Sequence, residues 1–324
     1  MPYSRIIGTG SYTPEKILDN HDLEKMVETS DEWITERTGI KFRHIADTVD
    51  NSEMASRAAQ SALQAAQLNP EKIDLIIAAT VTPDYIIPSL ACLVRNKIGA
   101  TNAAAFDLNA GCTGFIYGIT MADGMIRSGI YHSVLVIGTE KLTSLTNWTD
   151  RNTCVLFGDG AGAVVLQQDS KPGIVDASLA ADSKDAMELF IPAGGSSCPL
   201  TPELLANHQH KIYMNGSAIF KLGVKAMVSI SKKILKKNNL SANELDWLIP
   251  HQANRRIIDS VADLLRIDQQ KVIINLENYG NTSAATIGIA LDEAVRDGRI
   301  QPGHHVLLTA FGAGLTWGSV LIRM

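Results

Sequence analysis

The order of motifs along the chain predicts an α/β protein made of two similar halves, and three observations carry that expectation. Short apolar strands alternate with helices of mixed polarity, the pattern of layered α/β folds. The stretch from Leu68 to Ile77 (LNPEKIDLII) parallels that from Leu240 to Ile249 (LSANELDWLI), each a helix end, a turn and a buried strand. Asn109-Ala110-Gly111-Cys112-Thr113 parallels Asn278-Tyr279-Gly280-Asn281-Thr282, and Arg127-Ser128-Gly129 follows Cys112 at the spacing at which Arg296-Asp297-Gly298 follows Asn281. Self-similarity of long period is the mark of an internal duplication. The halves are expected at 1–170 and 171–324, joined near Asp169-Ser170-Lys171-Pro172-Gly173, with a site at their interface.

The elements follow from local pattern. Ile73 to Ile77 and Asp246 to Ile249 are short apolar runs after a turn, and Val134–Ile137 and Val306–Leu308 are strands that follow the two Arg-x-Gly helix stops. A helix is expected from about Thr113 to Ser128, and another from about Ser217 to Lys237. Gly158-Asp159-Gly160-Ala161-Gly162 looks like a phosphate loop but runs into a strand, Ala163 to Leu166, so a tight structural turn is expected there.

Composition narrows the function. With 29 basic and 34 acidic residues in 324, the net charge is −5, which argues against a nucleic-acid partner. Hydrophobic residues make up 45% of the chain, enough for a large core. No run approaches the ~18 apolar residues that span a bilayer. The opening Met1-Pro2-Tyr3-Ser4-Arg5 lacks the apolar stretch of a signal peptide, so a cytoplasmic location and no membrane partner are expected. Cys92, Cys112, Cys154 and Cys198 are too few and scattered for a disulfide scaffold and form no C-x-x-C pair, so no metal site is expected.

Cys112 stands apart because glycines flank it and a helix follows. Glycine permits a tight turn and close approach of a substrate, and the positive end of the helix dipole is expected to favour the thiolate. Cys92 and Cys154, in apolar surroundings, are expected to be inert buried thiols. His251 follows directly on a strand in Pro250-His251-Gln252-Ala253-Asn254-Arg255-Arg256, where the first half has Ala79; an imidazole replacing a small residue at a strand's end points to chemistry. Asn281, aligned with Cys112 by the repeat, is the third candidate. A Cys nucleophile with two neutral hydrogen-bond donors suits acyl transfer through a thioester, and suits stabilising an enolate better still. The glycine-rich Phe311-Gly312-Ala313-Gly314-Leu315-Thr316-Trp317-Gly318 can present backbone N–H groups to an oxyanion, but lacks the spacing of either nucleotide-binding glycine motif.

Together, Asn-Ala-Gly-Cys-Thr-Gly-Phe around Cys112, Pro-His-Gln-Ala-Asn around His251, Gly-Asn-Thr-Ser-Ala-Ala around Asn281 and the C-terminal Phe-Gly-x-Gly-x-Thr-Trp-Gly-Ser resemble the β-ketoacyl-acyl-carrier-protein synthase III family over nearly the whole chain. The resemblance implies a thiolase-like duplicated αβαβα five-layer fold and a homodimer. It also implies the initiating condensation of type II fatty acid synthesis, in which an acyl-CoA primer, acetyl-CoA expected, reacts with malonyl acyl carrier protein, with no cofactor. Cys112 is then the acylated nucleophile, His251 and Asn281 stabilise the enolate, and the N–H groups of Cys112 and Ala313 form the oxyanion hole. Trp33 and Arg151 match the adenine sandwich, Arg37 and Thr38 phosphate contacts, and Gly216, Phe220 and Asn254 the pantetheine tunnel. Ile87, Phe157 and Phe311 match the primer pocket, with Ile87 reaching it across a dimer interface. From Leu204 to Asn243 there are seven lysines and no acidic residue; Lys221 and Lys225, with Arg255 and Arg256, are expected to dock the acidic carrier protein. A degradative thiolase would need a second, late cysteine, and an elongating synthase a histidine where Asn281 stands. A polyketide or secondary-metabolite starter synthase shares the triad and is the competing enzyme reading; a silent acyl-CoA-binding protein is disfavoured by the intact triad.

Overall fold

Nine strands form the frame of the computed structural model, which describes residues 2–324. They are β1 (Tyr3–Tyr12), β2 (Leu75–Ala79), β3 (Ala104–Leu108), β4 (Ser133–Lys141), β5 (Asp159–Asp169), β6 (Ile174–Ala181), β7 (Trp247–Pro250), β8 (His305–Gly312) and β9 (Thr316–Arg323). The first five make one sheet in the order β1-β5-β4-β2-β3, and the last four a second in the order β7-β8-β9-β6. The orders correspond strand for strand: β2 and β7 each pair parallel with the next inner strand, and β5 and β9 close antiparallel hairpins with β4 and β8. The second sheet has only a single parallel bridge, Leu248 to Val272, where the first has β3.

The helices layer around these sheets. They are α1 (Asp31–Thr38), α2 (Asn51–Ala65), α3 (Leu90–Ile98), α4 (Gly114–Arg127), α5 (Gly216–Lys237), α6 (Arg255–Leu265) and α7 (Thr286–Arg296). Helices α2 and α3 cover the outer face of the first sheet, and α5 and α6 that of the second. Between the sheets lie α4 and α7, giving an αβαβα stack. Burial explains their composition: Ile287 to Asp292 are buried without a break, as a helix enclosed on every side requires. All of β2 is buried too, because parallel strands covered on both faces read as continuous apolar runs.

The duplication has a register that differs from part of the expected alignment. A constant 172 residues separates Leu75 from Trp247, Ser133 from His305 and Gly114 from Thr286, the starts of matching elements. In that register Ala79 does match His251, but Cys112 matches Ala284, and Asn281 matches Asn109. The side chains agree: Asn109 Oδ1 accepts the N–H of Gly111 at 3.4 Å, as Asn281 Oδ1 accepts that of Ser283 at 2.9 Å. The shared spacing to Arg-x-Gly misled because α7 is shorter than α4, so matching the helix ends shifts the register within the loop.

The glycine-rich run at 158–162 is also not a turn. Residues 159–162 lie within β5, paired with β4. Its glycines serve close packing: a Cβ on Gly162 would come 2.6 Å from Gly288 Cα in α7, so small residues let the buried helix lie directly on the sheet. Among the described residues no helix is long and apolar enough to cross a membrane.

Candidate active site

A cavity of about 930 Å³ runs from the surface between α1, α5 and α6 to the level where α4 and α7 begin. Cys112 lies at its foot, in a single 3₁₀ turn, Gly111–Thr113, that leads into α4. Gly111 at φ 54° makes that turn possible, since the left-handed region is costly for residues with a Cβ. Gly312, at the end of β8, completes the approach: a Cβ there would lie 2.6 Å from the Cys112 nitrogen. The backbone nitrogen of Ala313 lies against Gly111, so the segments that carry the two N–H groups expected for an oxyanion are close neighbours.

The expected resting thiolate is not what this environment favours. Burial pushes the Cys112 thiol up to about 11, and the nearby Glu140 carboxylate pushes the same way; a hydrogen bond from Ser283 only partly opposes them. Desolvation of the anion outweighs the helix start because α4 proper begins two residues later. With that shift the Cys112 thiol is neutral at neutral pH. The other cysteines divide differently from expectation as well: Cys154 is buried and raised to about 11, whereas Cys92 is exposed on α3, on the face of that helix turned from the core.

His251 and Asn281 reach the same floor from the second half. Burial lowers the His251 imidazole to about 3, so it stays neutral. Its Nδ1 meets Thr286 Oγ1 at 2.7 Å. That hydroxyl also reaches the Ser283 carbonyl at 3.0 Å, and its one proton serves only one of the two partners; when it goes to Nδ1, the remaining ring nitrogen carries the proton and is a donor to the cavity. Gln252 locks the preceding strand end by donating to the carbonyls of Pro250 and Ile273 and accepting the Asn275 N–H. Since Asn281 Oδ1 accepts the Ser283 N–H, its Nδ2 is left as the donor toward the cavity. Its backbone pairs with Leu156 and Gly158, beside the buried side chain of Phe157. Arg43, wholly buried, donates to the Val155 carbonyl and the Asn20 side chain and so braces that loop.

Higher in the cavity the expected contacts fare unevenly. Trp33, Arg37, Gly216, Phe220 and Asn254 line it, as do Phe157 and Phe311 nearer the floor. Arg151 stacks on the Trp33 indole at 4.0 Å, so a planar ring enters between them only if the guanidinium withdraws. Thr38 lines the wall, but its hydroxyl donates to the Ile34 carbonyl and accepts the Ile40 N–H, closing the C-terminus of α1. That commitment leaves no proton for a phosphate. Asn254 caps α6 and bonds the Arg37 carbonyl, tying the two walls of the mouth together.

Of the four basic residues expected to dock a carrier, Lys221 and Arg256 line the mouth. Lys225 is exposed but lies off it, and Arg255 is ion-paired with Asp259 at 2.8 Å, its stem packed over Gly39. Ile87 does not line the cavity of its own chain. It is 85% exposed, beside Tyr85 and Ile86, in the loop before α3. No group of three or more His, Cys, Asp or Glu side chains is placed to hold a metal among the described residues.

Sequence reasoning missed Glu140, Ser283 and Thr286. Glu140 carried a signal, a carboxylate one residue from the end of a largely apolar strand; the two hydroxyl residues carried none beyond their motif.

Residues 106–183 match the family model of 3-oxoacyl-(acyl-carrier-protein) synthase III, and residues 235–324 that of its C-terminal part. The β-ketoacyl-(acyl-carrier-protein) synthase III of Caldanaerobacter subterraneus subsp. tengcongensis is 53% identical over 98% of this chain and 97% of its own. The crystal structure of 3-oxoacyl-(acyl-carrier-protein) synthase III from Aquifex aeolicus superposes with a TM-score of 0.93 at 46% identity, covering 99% of this chain and 100% of that one. A priming β-ketosynthase from the R1128 polyketide pathway gives 0.92 at 33% identity, covering 99% and 96%. Full-length identity at this level, on a matching fold, shows that the chain belongs to the β-ketoacyl-acyl-carrier-protein synthase III family of condensing acyltransferases.

Proposed function

We propose that the chain takes an acyl group from acyl-CoA, acetyl-CoA expected, onto Cys112 and joins it to a malonyl unit held on acyl carrier protein, releasing carbon dioxide and a 3-ketoacyl carrier. The observation that carries this reading is the meeting of a thiol, a neutral imidazole and an amide Nδ2 at the foot of one narrow cavity. In acylation the Cys112 sulfur attacks the thioester carbonyl while the N–H groups of Cys112 and Ala313 hold its oxygen. In condensation, loss of carbon dioxide leaves an enolate whose oxygen accepts from His251 and Asn281, and its carbon attacks the acyl-enzyme. Uncharged donors suit this task, since they favour the anion without protonating it.

Trp33, Arg37, Arg151, Gly216, Phe220 and Asn254 would guide the CoA or carrier arm; we do not assign Thr38 a phosphate. The halves 1–170 and 171–324 would each contribute one side of the site. A homodimer fits two features: β3 ends its sheet with an unpaired edge, and the exposed Tyr85-Ile86-Ile87 tip stands beside it. Ile87 would then enter the partner's primer pocket, and light scattering that gives a single-chain mass would remove that assignment. Incubation with a panel of acyl-CoAs and malonyl carrier protein tests the whole reading. Intact mass reports which acyl group loads, and thioester product with matching carbon dioxide reports condensation. A preference for long or unusual starters over acetyl would favour the starter-synthase reading supported by the polyketide priming relative. An absence of any adduct would leave neither.

Carrier docking would fall to Lys221 and Arg256. Reversing both, K221E with R256E, is expected to cut turnover with malonyl carrier protein about tenfold or more at low salt while acylation by a short uncharged acetyl thioester changes little, because steering acts on charged partners. Added salt should reduce the wild-type rate and narrow that gap. Equal losses in both assays would instead mean a damaged cavity.

A further inference from the structure

The acylation step leaves one proton unassigned, that of the neutral Cys112 thiol. His251 is poorly suited to take it, since burial keeps the imidazole neutral down to about pH 3. Another group lies within reach. Glu140, near the end of β4, is wholly buried, and no cationic side chain is paired with it among the described residues. Its oxygens accept from the Val81 N–H at 3.1 and 3.2 Å, Thr82 Oγ1 at 2.5 Å, Thr80 Oγ1 at 3.2 Å and Ser283 Oγ at 3.2 Å. A carboxylate buried without a counter-charge is costly, and hydrogen bonds offset only part of that cost.

Ser283 links this carboxyl to the thiol. Its hydroxyl donates to Glu140 Oε1, and Ser283 lines the cavity floor with Cys112, the turns that carry the two residues packing against each other. Its backbone has φ 51°, in the left-handed region where a side chain is strained. The first half shows the unstrained solution, because the matching residue is Gly111 at φ 54°. A serine held where glycine would fit freely indicates that its hydroxyl is needed.

Resting on the reading of Cys112 as the acylated nucleophile, we infer that Ser283 and Glu140 form a relay that takes the Cys112 proton during acylation and returns it after condensation. As the Cys112 sulfur bonds to the acyl carbon, its proton passes to Ser283 Oγ while the serine's own proton passes to Glu140. The acyl carbon–sulfur bond of acyl-CoA breaks, and CoA leaves as a thiolate that takes a proton from water. Condensation frees the Cys112 sulfur as a thiolate, and the stored proton returns along the same path. Glu140 is neutral while the enolate exists, so no fixed anion opposes it. Ser283 touches the reacting atom; Glu140 acts through it as a positioning residue.

Burial raises Glu140 to about 7, and its hydroxyl and N–H donors restrain that rise. The titratable groups around it are few. Cys112 faces it and feels its charge. Lys141, next in β4, turns its ammonium to the Val49 carbonyl. Asp159 on the paired strand is held by Thr143 and the Ala46 N–H, and His251 stays neutral. Acylation should therefore rise with pH through about 7 as the carboxylate forms.

The test is single-turnover acylation by acetyl-CoA, quenched and read by intact mass, from about pH 5.5 to about pH 9, with malonyl decarboxylation by the loaded enzyme read separately. Glu140→Gln should slow loading by about 10²-fold or more and remove the rise near neutral pH, while the slowly loaded variant still decarboxylates malonyl carrier protein within a few-fold of wild type. Ser283→Gly, which takes the backbone angle without strain, should slow loading similarly, and Glu140→Asp should keep the pH-dependent rise at a reduced rate. A pH-dependent rise that persists in Glu140→Gln, or equal losses of loading and decarboxylation, would overturn the relay. A wild-type chain that takes no acyl group would overturn the relay together with the reading of Cys112, whereas an acylating wild type beside an unaltered Glu140→Gln overturns the relay alone.

Discussion

Cys112→Ser is expected to carry no acetyl group after incubation with acetyl-CoA and to lose condensation by about 10⁴-fold or more, the order lost when a covalent catalyst is deprived of its nucleophile. A serine hydroxyl is a far weaker nucleophile than a thiol and would sit in the same enclosed position, where burial opposes its ionisation further. The same burial makes a second, quantitative statement about the wild-type thiol. With Cys112 held near 11, the thiolate fraction rises about tenfold with each unit of rising pH until it nears that value. Alkylation of Cys112 by a small neutral reagent, followed by peptide mapping to separate it from the exposed Cys92, should climb steeply from about pH 7 to about pH 10. A flat profile would mean that the start of α4 outweighs desolvation and that a thiolate is present at rest. An acetyl adduct surviving in Cys112→Ser, or found on Cys154, would remove the assignment of the nucleophile.

The parts of the fold legible in the sequence are those written in continuous apolar runs. Leu75 to Ala79 and Val134 to Ile137 are buried strands because parallel strands between helix layers admit little else. The duplication was legible from the helix-turn-strand repeats, since the two halves build the same layers. Its register in the loops was not, because a shorter α7 moves the helix end without moving the start, and a motif counted from the wrong end pairs Cys112 with Asn281 instead of Asn109 with Asn281. Gly158 to Gly162 misled for a related reason. Glycine in a strand that touches a buried helix looks, along one dimension, like glycine in a turn. The triad stood out through its motifs, yet its electrostatics did not. A helix start is visible in sequence, whereas the burial that reverses its effect on Cys112 involves the close approach of Gly312, and the charge that adds to it comes from Glu140, both distant along the chain. The fate of the Thr38 hydroxyl is likewise set by a local helix ending at Gly39, which only the folded backbone reveals.

His251→Ala is expected to separate the two half-reactions. Loading of Cys112 from acetyl-CoA draws on the sulfur, the N–H groups of Cys112 and Ala313, and whichever group accepts the thiol proton; the neutral, buried imidazole is none of these. Acyl adduct should therefore form at a rate within a few-fold of wild type. Decarboxylation of malonyl thioester is different, because its transition state gathers negative charge on an oxygen that needs donors already in place. Removing one preorganised donor costs about 10²–10³-fold, and carbon dioxide release should fall by that order. Since burial keeps His251 neutral, the wild-type decarboxylation rate should show no step between about pH 5 and about pH 8 that belongs to imidazole, where an exposed histidine would titrate. Asn281→Ala should resemble His251→Ala in kind, with a risk that loss of the Oδ1 bond to the Ser283 N–H also disturbs the turn beside Cys112. Thr286→Val tests the tautomer: with the hydroxyl's proton on Nδ1, its loss removes the support for a cavity-side proton and decarboxylation should drop while loading persists, whereas an unchanged rate would assign that proton to the Ser283 carbonyl. If loading collapsed in His251→Ala while decarboxylation survived, the imidazole would be the base for the thiol, and both the enolate role and the relay through Ser283 would have to be given up.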